Sequence, residues 1–316
     1  MLALLLACDA DPPPASSEAE APPRPVQVAL NWYPEPEFGG YYAALKSGAY
    51  RKAGLDVTLV PGGPGVPVLE MLAAKKVDVA ISGADDLLLR RAKGLDAVAI
   101  LAGLQDSPVG LLVHVPGPNS YAEVTGPVAI EAGSPFQQTL WAKMGWEGKV
   151  QMVPTTGSLG AFAADPSLAQ QAYITSEPCQ AEDKNLETRF LAARDIGWNP
   201  YAALAVVRGA DAAEPWTHAF VTASLQGWQA YLADPGPANV EIAKLNPEMT
   251  PGRLACIVKA QLPFVKGTDG VGVVTQARMS ELEGTLRTLG LEAKAEGSVR
   301  NNAGVPTASP PANGTP

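Results

Sequence analysis

Residues 26–60 read VQVALNWYPEPEFGGYYAALKSGAYRKAGLDVTLV, and three segments of this stretch decide the fold. Val26-Gln27-Val28-Ala29-Leu30 alternates, as a strand with one face on a core does. Gly40–Ala53 has helical spacing, with Tyr41, Leu45 and Tyr50 on the inward face and Gly54 as the stop. Leu55–Val60 is a second strand, broken by Pro61-Gly62-Gly63-Pro64-Gly65. A strand–helix–strand unit of this kind is a crossover between parallel strands.

The alternation continues. Val68–Lys75 reads as a helix, Val77–Ser82 as a strand, Ala84–Lys93 as a helix ended by Gly94, and Ala97–Leu104 and Gly110–Val115 as strands. A second series follows the Pro116–Asn119 loop: strand Val128–Glu131, helix Pro135–Met144, strand Val150–Val153, the segment Leu159–Ala164, and strands Gln171–Thr175 and Arg189–Ala193. Tyr201–Val207 reads as a strand returning toward the first series. From Glu214 the chain is mainly helical, over Glu214–Ala233, Pro237–Leu245, Pro251–Ala260 and Thr275–Leu289. The expected fold is α/β: two lobes with mainly parallel sheets, covered on both faces, and a ligand cleft at the carboxyl ends of the strands.

Composition narrows the function. The 316 residues hold 23 Lys+Arg against 32 Asp+Glu, a formal charge of −9, so the basic face that a nucleic acid or an anionic membrane surface requires is not expected. With 47% apolar residues a real core can form, and no apolar run approaches the roughly 20 residues of a membrane-spanning helix. Two histidines and three scattered cysteines do not give the ligand spacing of a zinc cluster, and no metal or cofactor is expected.

The ends differ from the body. Leu5-Leu6-Ala7-Cys8 resembles the lipobox of a bacterial lipoprotein signal peptide, with Cys8 as the lipidated first residue of the mature chain. No Lys or Arg precedes this run, so a basic segment is expected upstream. Residues 9–25, with Pro12-Pro13-Pro14 and Pro22-Pro23, read as a solvated tether, and residues 292–316 as a disordered tail.

Several residues could carry chemistry. Asn31-Trp32-Tyr33-Pro34-Glu35-Pro36-Glu37-Phe38-Gly39-Gly40-Tyr41-Tyr42 joins the first strand to its helix, and its aromatic rings could form a stacking wall for a flat ligand or pack beneath the loop. Asp85-Asp86 lies where a strand becomes a helix and could cap that helix or accept hydrogen bonds from a ligand. Glu177 follows a strand and is either a turn acid or an acceptor. The cluster Gly62-Gly63-Pro64-Gly65 lacks the Gly-Lys-Ser/Thr ending of a phosphate loop and reads as a structural turn. His114 and His218 have no catalytic setting in the sequence. Cys179 and Cys256 are expected in different lobes and therefore unpaired.

Taken together, the segments resemble the SsuA/THI5-like (NMT1/THI5-like) substrate-binding proteins of ABC importers. The resemblance runs through Leu30-Asn31-Trp32-Tyr33-Pro34-x-Pro36-Glu37, Gly48-Ala49-Tyr50-x-x-Ala53-Gly54-Leu55-Asp56-Val57, Val60-Pro61-Gly62-Gly63-Pro64 and Ala84-Asp85-Asp86-Leu87-Leu88-Leu89-Arg90. It continues through Tyr173-Ile174-x-x-Glu177-Pro178, Ala223-Ser224-Leu225-Gln226-Gly227-Trp228 and Tyr231-Leu232-Ala233-Asp234-Pro235. It implies a type II binding-protein clamp with lobe I at 26–115 and 207–291 and lobe II at 116–206. It implies a permease and an ATPase as partners, a lipid anchor as the only membrane contact, and a place in the bacterial cell envelope facing the periplasm or exterior.

The Asn-Trp and Ala-Asp-Asp elements resemble the branch that binds thiamine pyrimidine precursors; riboflavin-like or sulfonate ligands are the alternatives. An enzymatic alternative, the pyrimidine synthase of the same family, needs a lysine where this chain has Ser82, a histidine where it has Asp86, and a cysteine-rich motif. The expected ligand site draws on Asn31, Trp32, Tyr33, Glu37 and Tyr41 from the first loop, on Asp85, Asp86 and Glu177, and on Trp198 and Tyr201 where the chain crosses back.

Overall fold

The computed structural model describes residues 22–155 and 157–300; Cys8, most of the tether and residues 301–316 lie outside the described residues. The strands are β1 (Arg24–Ala29), β2 (Leu55–Val60), β3 (Val79–Ser82), β4 (Ala97–Leu104), β5 (Val109–His114), β6 (Val128–Ile130), β7 (Met152–Pro154), β8 (Ala169–Tyr173), β9 (Thr188–Ala192) and β10 (Ala202–Arg208). The helices are α1 (Gly39–Lys46), α2 (Ala49–Lys52), α3 (Val68–Ala73), α4 (Ala84–Ala92), α5 (Pro135–Met144), α6 (Gly160–Ala164), α7 (Glu177–Asp183), α8 (Pro215–Ala233), α9 (Gly236–Leu245), α10 (Pro251–Lys266) and α11 (Gln276–Thr288).

The strands form two sheets, ordered β2-β1-β3-β10-β4 and β7-β6-β8-β5-β9. In the first, β1 runs parallel to β2 and β3, while β10 is antiparallel to both its neighbours. In the second, β6 runs parallel to β7 and β8, and β5 is the reversed strand. Each sheet thus has four strands in one direction and one against them. The reversed strands are the first that the chain forms after each passage between sheets. A chain leaving the carboxyl end of one sheet enters the other from its facing carboxyl end, and so runs against the other strands of that sheet.

The passages correct the expected lobe limits. Residues 109–114 pair in the second sheet and residues 202–208 in the first, so the crossings are residues 105–108 and 193–201, rather than 115/116 and 206/207. Two helices also differ from expectation. The single helix over residues 40–53 is broken at Gly48, whose φ of 72° is left-handed. Glu177 opens the helix α7 where a turn was expected, because Pro178 at the first turn favours helix initiation.

Residues 292–300 are not a loose tail. Ala293, Ala295 and Ser298 are buried. The Ala99 amide donates to Ser298 O at 2.8 Å, and the Arg300 amide to Ala99 O at 2.9 Å. Arg91 reaches Lys294 O at 3.2 Å and Glu296 O at 2.7 Å. This segment covers β4, the edge strand whose backbone groups would otherwise be open to pairing.

Helix α8 carries Trp228 and Tyr231 into the first lobe's core against α1. The approach is close enough to demand glycine. A Cβ at Gly40 would fall 2.2 Å from the Trp228 ring, and one at Gly227 would fall 2.2 Å from Gly40 O. Neither helix can move without disturbing Phe220 and Tyr41, whose rings stack at 6.3 Å. Gly227→Ala should therefore destabilise the protein by about 1–3 kcal/mol through overpacking, read as a lower urea midpoint at unchanged m-value. An unchanged midpoint would show that α1 and α8 are loosely packed.

Candidate ligand-binding site

The site is assembled from strand ends. The loop after β1 supplies Trp32, Tyr33, Glu35 and Glu37; the turn after β3 supplies Asp85; the end of β6 supplies Glu131; and the end of β8 supplies Tyr173 and Glu177. All four are carboxyl ends, two from each sheet, where an open α/β sheet has its crevice. Three rings are only partly covered there although aromatic rings usually seek cover: Trp32 is 36% exposed, Tyr33 48% and Tyr173 41%. Trp32 and Tyr33 meet edge to face with centroids 5.4 Å apart. Gly63 leaves room for Tyr33, since a Cβ there would sit 3.2 Å from its ring.

The electrostatics show which groups face one another across the lobes. The Tyr173 phenol is held far above its ordinary value, first by desolvation and then by Asp85, Glu37, Glu131 and Glu177 in turn. Two of those carboxylates belong to the first lobe and two to the second. Burial pushes Glu37 up to about 7, with Glu177 adding to it. Burial, then Glu37, then Glu177 hold Glu35 well above the usual carboxylate range, against a hydrogen bond from Trp32 and the charge of Arg253. Burial raises Asp85 to about 6, opposed by the Asp86 backbone N–H. Glu177 is raised by burial and lowered by the Tyr173 amide, which donates to its Oε2 at 2.7 Å.

Asn31, directly after β1, has a buried Oδ1 with no hydrogen-bond partner. A buried acceptor left unmatched costs free energy, so a donor from a ligand would be worth more here than on an open surface.

Of the residues expected in the site, Trp32, Tyr33, Glu37, Asp85 and Glu177 come together with Asn31 beside them. Others are placed elsewhere. Tyr41 is fully buried, edge to face with Trp228 at 6.0 Å. Asp86 accepts from Ser82 Oγ at 3.4 Å and pairs with Arg90 at 3.2 Å, one helical turn along α4. Trp198 is buried in the second crossing. Tyr201 is also buried, under the Arg278 guanidinium at 3.9 Å, while its carbonyl accepts from the first amide of α4. Conversely, Glu35, Glu131 and Tyr173 were not expected. Glu35 lay in the aromatic loop, and Tyr173 stood at a strand end four residues before Glu177; that spacing was the available signal.

Cys179 and Cys256 are disulfide-bonded, contrary to expectation, with Cα atoms 5.9 Å apart. The premise held, since α7 and α10 belong to different lobes, but the two helices pack directly on each other across the boundary.

A family model described as NMT1/THI5 like matches residues 35–238. The chain belongs to the NMT1/THI5-like family. Within curated relatives, the formylaminopyrimidine-binding protein of Halalkalibacterium halodurans is 25% identical over 234 residues, covering 67% of this chain and 68% of its own. The riboflavin-binding protein RibY of Chloroflexus aurantiacus is 23% identical, covering 92% of this chain and 91% of its own. The periplasmic aliphatic sulphonate binding protein SsuA from Escherichia coli superimposes with a TM-score of 0.68 at 14% identity, over 93% of this chain and 98% of that one. This NMT1/THI5-like chain therefore has the two-lobed periplasmic-binding-protein fold, type II.

The raised carboxylates have a stability consequence. Glu37 keeps its proton to about pH 7 when folded, whereas its ordinary value is 4.5. Between those limits the native state binds more protons than the unfolded chain, so this group lowers stability as pH rises through the window. Glu37→Gln removes the titration. Its urea midpoint relative to the parent should rise from pH about 4.5 to pH about 7; a pH-independent difference would mean that Glu37 is ordinarily solvated.

Proposed function

We propose that this chain is the extracytoplasmic solute-binding subunit of an ABC importer, and that it captures a small flat heteroaromatic ligand bearing amino or ring N–H donors, such as a thiamine pyrimidine precursor. One observation carries the reading. The helical turns that open toward the cleft already hold carboxylates, Glu37 before α1, Asp85 in α4 and Glu177 in α7, with exposed rings between them. Helix N-termini are natural anion sites. At α4 and α7 the chain's own acids, Asp85 and Glu177, occupy them, which disfavours a sulfonate and leaves acceptors for a donor-bearing ring. Arg253, the cation felt at Glu35, is engaged by Asp183 at 2.8 Å.

The formylaminopyrimidine-binding relative supports a pyrimidine. The riboflavin-binding relative, aligned along nearly the whole chain, supports an isoalloxazine as the second reading. Calorimetry with formylaminopyrimidine, riboflavin and taurine separates them. Tight binding of the pyrimidine and none of taurine is expected; binding of taurine alone sinks the reading.

The role is capture without turnover. Ser82 and Asp86, at the positions where the resemblance to the pyrimidine synthase would want its lysine and histidine, bond to each other instead. Trp32→Ala should weaken binding by about 1–3 kcal/mol, by analogy with base stacking on aromatic side chains. Glu177→Gln should weaken it by about 1.5–3 kcal/mol. Asp86→Asn, whose parent carboxylate serves Arg90, should stay within about 0.5 kcal/mol. If the first two bind as tightly as the parent in calorimetry, the ligand sits elsewhere.

Export and anchoring through Cys8 complete the proposal. The lipobox-like run supports them, and so does the disulfide, which suits an oxidising compartment. Cys8→Ala should move the protein from the membrane fraction to the soluble fraction of its host; retention in the membrane would refute the anchor.

A further inference from the structure

The disulfide lies between the lobes and next to the site. Cys179 is in the first turn of α7, two residues after Glu177. Helix α7 packs on β8 and β9 of the second sheet. Cys256 is in α10, whose Leu254, Ile257, Phe264 and Val265 belong to the core of the first lobe. Arg253 of α10 and Asp183 of α7 add an ion pair at 2.8 Å alongside the bond.

The two chain crossings, by contrast, lie together. The Ser107 amide of one donates to Asn199 Oδ1 of the other at 2.8 Å. The Gln105 amide donates to Phe264 O, near the far end of α10, at 2.7 Å. Cys256 stands eight residues before Phe264 on that helix, about 12 Å along its axis. A hinge at the crossings therefore meets a third covalent link displaced from it by about two helical turns. Opening the lobes about the crossings would pull Cys179 away from Cys256, and the bond resists this.

The bond matters most above about pH 7, where Glu37 loses its proton and like charges come to face each other. Glu177 is opposed by Glu35 and Glu37 from the loop after β1; Tyr173 of β8 joins these to Asp85 and Glu131; and Arg253 of α10 offsets only part of that charge. We propose that the Cys179–Cys256 disulfide is an interlobe strap that positions Glu177 against the first-lobe carboxylates, so that the cleft is preformed before any ligand arrives. Preorganisation of this kind strengthens binding by removing the cost of ordering the site. The effect on affinity rests on the binding-protein reading; the effect on shape does not.

The test uses the full chain and its Cys179→Ser/Cys256→Ser variant. In the unfolded, unreduced parent, Cys179 and Cys256 should resist alkylation; free reaction of both overturns the proposal. Small-angle scattering of the ligand-free proteins should show a larger radius of gyration for the variant, growing as pH rises through about 7 while the parent stays constant. Adding Glu177→Gln to the variant should reduce that growth. If the variant fails to fold, the parent reduced with a phosphine is compared with the oxidised parent. Scattering curves that superimpose at every pH overturn the strap. A merely structural bond would leave the Glu177→Gln penalty untouched. A positioning bond should weaken formylaminopyrimidine binding about 3- to 30-fold when lost, and shrink the Glu177→Gln penalty several-fold. An undiminished penalty overturns the positioning role. Absence of binding to either form counts against the ligand reading alone, and scattering still decides the strap.

Discussion

One guanidinium ties the two crossings together. Arg278 of α11 donates to Gln105 O at 2.7 Å and to Asn199 O at 3.3 Å, pairs with Asp269 at 3.3 Å, and lies over the Tyr201 ring. Asn199 passes the contact on, donating to Asp106 at 2.7 Å. Charge-assisted bonds to buried carbonyls are among the stronger polar interactions a protein makes. They fix where the chain leaves the first lobe after β4 and where it returns to it at β10. The two sheets are joined at that point, and the Cys179–Cys256 bond ties them again farther along α10.

Holding acids in such a cleft is costly. Desolvation is the largest cause of the upward shift at Glu35, Glu37, Asp85 and Glu177 alike. Hydrogen bonds from nearby backbone amides, at the first turn of α4 for Asp85 and at Tyr173 for Glu177, recover part of that cost. The remainder keeps these groups protonated above the usual carboxylate range, and Glu177, from the other lobe, adds to it at Glu35 and Glu37. Site polarity and lobe geometry are therefore one problem: acids placed at strand ends make a receptor only if the lobes are kept near each other.

Much of this was legible in the sequence, because its signals were local. Alternation at residues 26–30 and 55–60, the stop at Gly94 and the proline-led start at Pro135 each depend on a few neighbouring residues, and those elements stand within a residue or two of their expected places. The aromatic loop announced itself by having more rings than a loop can hide. What was not legible depended on partners far along the chain. Tyr41 looked like a site residue until Trp228 and Phe220 closed over it. Residues 292–300 looked loose because nothing in their composition reveals the β4 edge they cover. The disulfide was missed because separate lobes suggest separation, whereas a boundary also brings helices into contact.

The place of β10 has a consequence for how the molecule is made. In the finished sheet β4 pairs with β10 on one side and is covered by residues near 298–300 on the other. All eight of its residues, AVAILAGL, are buried. A chain emerging from its N-terminus finishes β4 long before either neighbour exists, since its bridge on the far side joins Ala99 to Val299. During that interval a long, wholly buried strand has no partner, and a bare apolar strand with no charge and no proline is the kind of segment that aggregates. Assembly dominated by such distant pairings is also slow. The first lobe therefore closes late, since β4 stays uncovered until β10 and residues 298–300 have been made.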